Sequence, residues 1–289
     1  MDEKVLLQKI NNMSIWKKRD QRAPHKPLLI LYALGRLQQD QVKYIPYVDV
    51  REKLEELLIA FGPIRKSYHP EQPFVRLKND GIWELDMPVD QNFTNKKLMA
   101  NNVSGGFTEE VFDLLLKKDH LIQEVANIVL NTHFPESIHE DILQAAGLDF
   151  SLTKTKSRDP KFREKILRAY GYSCAVCGFN VRLGHTLVAV EAAHIKWHQA
   201  GGPDHEENGI ALCSLHHKLF DRGVFTLSDS GLFIVSEDAH GTHGLNEWLM
   251  QFHGKAVRGP IQTIYEPNKR YLDWHVREVF RGPARYTLN

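Results

Sequence analysis

Two pairs of residues between positions 174 and 216 have the types and spacing of a metal site. Cys174-Ala-Val-Cys177 and Cys213-Ser-Leu-His216 each place their outer members three apart, and they use all three cysteines of the chain. Structural zinc takes four thiolate or imidazole ligands, delivered as such close pairs from two turns. Cys174, Cys177, Cys213 and His216 are therefore expected to hold Zn2+. His217 is the rival for the fourth place, although Cys-x-x-His repeats the spacing of the first pair. Interleaved with this quartet are His194, Asn208, His217 and Asp221, which a structural zinc does not need.

The segments carrying this second set read as two strands and a helix. Leu187–Ile195 (LVAVEAAHI) alternates and is rich in strand formers, which puts His194 at a strand end. A loop with Gly201-Gly202-Pro203 follows and carries Asn208. Cys213–Phe220 reads as a helix, on which His217 and Asp221, four apart, share a face. This is the layout of a ββα-metal nuclease. Phosphodiester hydrolysis needs a base to deprotonate water and a divalent cation to stabilise developing charge. The catalytic set is then His194, Asn208 and His217. His194 is the expected base; His217 and Asp221 are the expected ligands of a cation such as Mg2+, Mn2+, Co2+ or Ni2+. Asn208 is uncharged and is expected to brace the loop and orient His194.

Residues 160–235 resemble the HNH endonucleases. The resemblance rests on Ala193-His194-Ile195 and on Leu215-His216-His217-Lys218-Leu219-Phe220-Asp221-Arg222-Gly223. It carries the triad over to His194, Asn208 and His217. Many members have a metal-binding Asp or His just before the base, where this chain has Ala193. That leaves the cation on His217, Asp221, phosphate and water, with Glu191 as an outer helper.

The rest of the chain divides by pattern. Val5 to Ile10, Pro27–Leu37, Val48–Phe61, about 108–118, about 120–132 and about 138–146 have helical spacing. Phe74–Leu77 and Ile82–Leu85, around Asn79-Asp80-Gly81, read as a hairpin. Residues 148–160 are polar and lack period, so the expected domains are 1–150 and 151–289. Lys161–Tyr170 then reads as a helix, and Phe225–Leu227 with Leu232–Val235 as a closing hairpin. Trp248, Tyr265, Tyr271 and Trp274 read as core rather than as stacking platforms. The fold class is α+β: a mainly helical first domain and a ββα-metal second domain with a structural zinc site.

In the first domain, Arg22-Ala23-Pro24-His25-Lys26-Pro27-Leu28-Leu29, the segment from Tyr68 to Arg76 and the turn Asp80-Gly81-Ile82-Trp83 resemble the sulfur-binding domain of phosphorothioate-dependent restriction endonucleases. The resemblance covers about residues 5–145 and implies recognition of DNA in which sulfur replaces a non-bridging phosphate oxygen. Sulfur is larger and less hydrated than oxygen, so an apolar cup would prefer it, with cations neutralising the backbone charge. Tyr68, Pro70, Pro73 and Phe74 are the expected cup, with His25, Lys26 and His69 as its rim. The family loop has an aromatic before the second proline, where this chain has Gln72. Lys17, Lys18, Arg19 and Arg22 are expected on flanking phosphates.

The 289 residues, 42% hydrophobic and 25% charged, have the make-up of a folded soluble protein. No apolar run approaches the roughly 20 residues of a membrane span. Three cysteines, two of them in a CxxC, suit metal binding in a reducing cytoplasm better than disulfides. Residues 1–79 hold 15 Lys and Arg against 9 Asp and Glu, residues 80–150 hold 4 against 13, and residues 151–289 hold 18 against 14. Basic segments flanking an acidic one suit local polyanion-binding surfaces. The expected partner is double-stranded DNA, and cutting both strands with one active site per chain needs a homodimer or two successive cuts. Two alternatives stay open: an HNH nuclease reading another mark, such as a methylated base, and a non-catalytic zinc protein that binds DNA.

Overall fold

Asp2 starts the first helix, α1 (Glu3–Asn11), by accepting from the Val5 N–H. Pro27 lies in the first turn of α2 (His25–Asp40), where its missing N–H costs no helix bond. The computed structural model describes residues 1–16, 18–150 and 160–285. These fall into two compact units, Met1–Lys154 and Thr155–Asn289. Among the described residues no helix is long and apolar enough to cross a membrane.

In the first unit α2 is the central element, with every residue from Pro27 to Gly35 buried. A helix that is apolar all round has to be covered on every side. A short strand β1 (Tyr44–Pro46) leads into α3 (Tyr47–Phe61), which buries Val50, Leu54, Leu57, Leu58 and Phe61. The chain continues through α4 (Glu71–Arg76), β2 (Trp83–Leu85), α5 (Asn95–Ala100) and β3 (Ser104–Phe107) to α6 (Glu109–Lys117), α7 (Asp119–His133) and α8 (His139–Ala146). Helix α8 comes so close to α2 that a Cβ on Gly35 would lie 2.1 Å from the Ala146 carbonyl oxygen. The sheet has the order β1-β3-β2 and is antiparallel throughout.

The expected hairpin at residues 74–85 is a correction. Phe74–Leu77 is helical: α4 runs on into a 3-10 turn, Leu77–Asp80, which ends at Gly81 in the left-handed region (φ 68°). Pro70 stands at the α4 N-cap and Pro73 in its first turn, positions that suit a residue with no N–H. Only Trp83–Leu85 is a strand, and its partner is the distant β3. Gly105 of β3 has Phe74 and Trp83 within 2.9 Å of where a Cβ would stand, which is why a glycine-rich strand fits there.

The second unit begins with α9 (Pro160–Ala169), which packs on the hairpin of β6 (Val190–His194) and β7 (Gly209–Cys213). A small pair, β4 (Arg182–Leu183) and β5 (Thr186–Leu187), precedes that hairpin, and α10 (Ser214–Asp221) follows directly from β7. Next come the expected closing hairpin, β8 (Phe225–Leu227) with β9 (Phe233–Val235), and the helices α11 (Leu245–Trp248) and α12 (Lys269–Glu278). Tyr271 and Trp274 are core, whereas Trp248 is about half exposed. His275 of α12 stacks on Phe220 at 3.8 Å and bonds the Thr226 hydroxyl, which holds α10 in place from behind.

Candidate functional site

Cys174, Cys177, Cys213 and His216 bring one ligand atom each to within 4.8 Å of one another. The cysteine knuckle presents the first two; the end of β7 and the first turn of α10 present the others. His216 Nδ1 lies 3.1 Å from Cys213 Sγ and 3.7 Å from Cys174 Sγ, while its Nε2 donates to the Trp248 carbonyl at 2.9 Å. That bond fixes the tautomer in which the Nδ1 lone pair faces the three sulfurs, the arrangement of a metal-bound histidine with an outer partner. The donor set thus fits a tetrahedral metal ion.

His217, the adjacent residue, points elsewhere. Its Nε2 is 3.2 Å from Asp221 Oδ2, and its Nδ1 is 2.6 Å from Glu191 Oε2. Both His217 and Asp221 are buried. Burial alone would push the imidazole down, but Asp221 and Glu191 outweigh it and raise His217 to about 9. The ring is then protonated on both nitrogens, Nδ1–H donating to Glu191 and Nε2–H to Asp221. A cation bound at this edge would displace the Nε2 proton and take Nε2 and Asp221 as its two donors. Glu191 also accepts from Ser214, so the carboxylate is held at both oxygens.

His194 ends β6 opposite Gly209 of β7. It is buried, stacks on Phe162 of α9 at 3.9 Å and 11°, and has Nε2 2.7 Å from Asp204 Oδ1. Asn208 is fully buried: its Oδ1 accepts from the Lys196 N–H, and its Nδ2 donates to the Lys196 and Pro203 carbonyls. These bonds close the loop between the two strands. The bracing expected of Asn208 is therefore directed at the backbone beside His194.

In the first unit a cleft of about 590 Å³ gathers Arg22, His25, Lys26, His69, Gln72 and Pro73. Ile15, Trp16, Gln21, Ala23, Arg65 and Arg76 complete its lining. Their signal in the sequence was positional only, since they flank the two proline segments. Phe74, expected in the cup, is fully buried between Tyr47 and Trp83, with ring centroids at 4.8 and 6.0 Å. Along α4 the side chain one position after Pro73 turns about 100° away, which puts it in the core. Pro70 is buried at the helix start, and Tyr68 contributes its backbone to His25; neither lines the cleft. Lys18 and Arg19 are exposed outside the lining, and Lys17 lies outside the described residues.

The electrostatics of the cleft are partly tied down. Burial lowers His25 below the usual imidazole range against the opposing bond to Tyr68. Lys26 pairs with Asp80 at 2.5 Å and donates to the Ser14 carbonyl; Asp80 also accepts from the Ser14 N–H. Asp80 therefore anchors the loop that brings Ile15 and Trp16 to the cleft. Arg22 donates to the Phe61 carbonyl at 2.7 Å.

Replacing Phe74 by alanine is expected to destabilise the first unit by about 3–5 kcal/mol, as large-to-small core substitutions do. Denaturant unfolding measures that loss, and any DNA preference of the folded fraction should stay at the wild-type value.

Residues 3–151 match the family described as ScoMcrA-like, DNA sulfur-binding domain, and residues 174–228 match an HNH endonuclease family. No curated protein matches the chain. Among solved structures, it is similar to the sulfur-binding domain of SprMcrA complexed with phosphorothioated DNA, at 22% identity and a TM-score of 0.44, over 51% of this chain and 95% of that one. It is similar to the corresponding domain of ScoMcrA at 19% identity and a TM-score of 0.43, over 49% and 97%. A third likeness is to the modification-dependent TagI restriction endonuclease, at 22% identity and a TM-score of 0.31, over 46% and 41%. With its matched segment spanning more than half of the 289 residues, the chain belongs to the ScoMcrA-like family of DNA sulfur-binding domains and carries an HNH endonuclease domain behind it.

Proposed function

We propose that this protein is a modification-dependent restriction endonuclease that reads phosphorothioated DNA with residues 1–150 and cleaves a phosphodiester bond nearby with residues 151–289. The observation that carries the reading is the cleft. In a unit of the sulfur-binding family, apolar Ile15, Ala23 and Pro73 stand beside the cationic Arg22, Lys26, Arg65 and Arg76. Sulfur gives up water more readily than oxygen does, so burial against carbon favours the thio group. The arginines hold the backbone whichever atom it carries.

In the nuclease unit His194 is the base, Asn208 fixes the loop beside it, and His217 with Asp221 would hold the catalytic cation. A divalent ion such as Mg2+, Mn2+, Co2+ or Ni2+, when bound, stabilises charge developing on the phosphate and the leaving oxygen. Water gives a proton to His194, its oxygen forms the new bond to phosphorus, and the bond to the leaving oxygen breaks. The leaving oxygen takes a proton from solvent. Zn2+ on Cys174, Cys177, Cys213 and His216 would be structural. Three unpaired thiols suit a reducing cytoplasm, and a double-strand cut requires two chains or two events.

Matched duplexes, one with a single phosphorothioate and one without, test the reading with the full chain and a divalent cation. Cleavage confined to the modified duplex is expected, with tighter binding of that duplex that persists in moderate salt. Arg76→Ala should weaken both duplexes and lower the slope of log K against log salt by about 1. Equal binding and equal cleavage of the two duplexes would end the sulfur reading in favour of another mark or of unspecific cutting.

A further inference from the structure

Asp204 belongs to no motif of the sequence, yet its Oδ1 lies 2.7 Å from His194 Nε2. We infer that Asp204 is the positioning residue of the nuclease centre, holding His194 in the Nε2–H tautomer and stabilising the imidazolium that forms when the base takes a proton. This rests on the reading of His194 as the base.

The surroundings are built to keep that contact. Phe162 lies flat on one face of the ring. It can do so because the residue paired with His194 across the hairpin is Gly209, where a Cβ would lie 2.2 Å from Ile166 Cδ1 and 3.0 Å from Phe162 Cζ. The carboxylate comes from the loop between the strands, and Asn208 donates to the carbonyl of Pro203, the residue just before Asp204. The loop lies tightly on Asn208: a Cβ on Gly202 would be 2.8 Å from Asn208 Nδ2 and 1.8 Å from the Lys196 carbonyl oxygen. Gly202, Pro203, Asp204, Asn208 and Gly209 thus act as one mechanical piece, whose outcome is a carboxylate fixed against one nitrogen of the base.

The consequence follows from imidazole chemistry. A neutral ring with its proton on Nε2 has its basic lone pair on Nδ1, so the bond to Asp204 selects which nitrogen accepts the proton from water. A carboxylate at hydrogen-bond distance also favours the charged ring, so removing it makes the base weaker and ready at lower pH. His198 is a second titratable side chain near the ring, with ring centroids 5.9 Å apart. On α9, Arg163 is engaged with the Val190 carbonyl and Lys165 with Glu206.

The test uses the full chain with Asp204→Ala and with the isosteric Asp204→Asn. Single-turnover cleavage of a phosphorothioated duplex should fall in Asp204→Ala by up to the about 10²–10⁴-fold that losing the base itself costs, with DNA affinity, zinc content and unfolding temperature unchanged. In both variants the acidic limb of the pH–rate profile should move to lower pH, which a merely structural role would not produce. Imidazole 15N spectra, assigned by the loss of signals in His194→Ala, should show the Nε2–H form of His194 in wild type and a mixture in Asp204→Ala. An unmoved acidic limb in Asp204→Asn, or an unchanged His194 tautomer in Asp204→Ala, overturns the proposal. Should the alanine variant fail to fold, the acidic limb of the asparagine variant decides by itself. If the wild-type chain cleaves neither duplex, the nuclease reading fails, and the 15N spectra alone decide whether Asp204 positions the ring.

Discussion

Replacing His194 by alanine should lower DNA cleavage by about 10²–10⁴-fold, the usual cost of losing a positioned base. Binding of modified duplex, zinc content and folding should stay close to wild type. The geometry separates these effects. His194 ends β6 with its ring between Phe162 and Asp204, and it belongs neither to the Cys3His cluster nor to the cleft of the first unit. Loss of the ring opens a gap against Phe162, a packing cost of order 1–3 kcal/mol that a unit with a metal on the Cys3His cluster should tolerate. A purified variant cutting at the wild-type rate would remove His194 from the mechanism. Cleavage is measured in single turnover with saturating enzyme, so that a change in DNA affinity does not mimic a change in chemistry.

How far these arrangements could be read in the chain varied with the range of the interactions involved. The Cys3His quartet and the α10 face carrying His217 and Asp221 are set by spacings of three and four residues, which a knuckle and a helix translate directly into distance. Helix α2 is legible as a continuous apolar run after Pro27, and α3 and α7 by helical period, because each of those two buries one apolar face. Residues 74–77 went the other way. Phe74 and Val75 favour a strand by type, but Pro73 opens a helical turn, and the core between Tyr47 and Trp83 takes Phe74 from that turn. The partner of β2 lies about twenty residues on in a strand of Ser104-Gly105-Gly106-Phe107, where the side chains carry almost no strand signal. Trp16, Arg65 and Arg76 reach the cleft from loops and a helix end, held there by bonds such as Asp80 to Ser14 that span 66 residues of chain. Asp204 stayed hidden for a related reason. Its role depends on the loop between β6 and β7 folding back on Asn208, which brings Asp204 to a base ten residues earlier, and only the packed structure shows that closure.

Replacing Cys213 by serine is expected to release the metal and unfold the second unit while the first unit keeps its fold and its DNA preference. Serine nearly preserves the volume of cysteine, so a cavity in the core cannot account for a large loss. Structural zinc contributes apparent binding free energy of about 10–16 kcal/mol in zinc-finger peptides at pH 7, as large as the about 5–15 kcal/mol by which a whole typical domain is stable. Cys213 is a demanding position because it does two jobs. It ends β7 and is the N-cap residue of α10, so its sulfur ties the knuckle at Cys174 and Cys177 to the helix bearing His217 and Asp221. Without that tie the ββα hairpin has no fixed angle to its helix, and the two-donor edge for the catalytic cation goes with it. Metal analysis should find about one tightly held zinc per wild-type chain and none in the variant. Thermal unfolding should lose one of two transitions, and cleavage should vanish even with abundant divalent cation. A folded, cleaving Cys213→Ser protein without zinc would show that apolar packing alone, through residues such as Phe220, Phe225 and Phe233, holds this unit together.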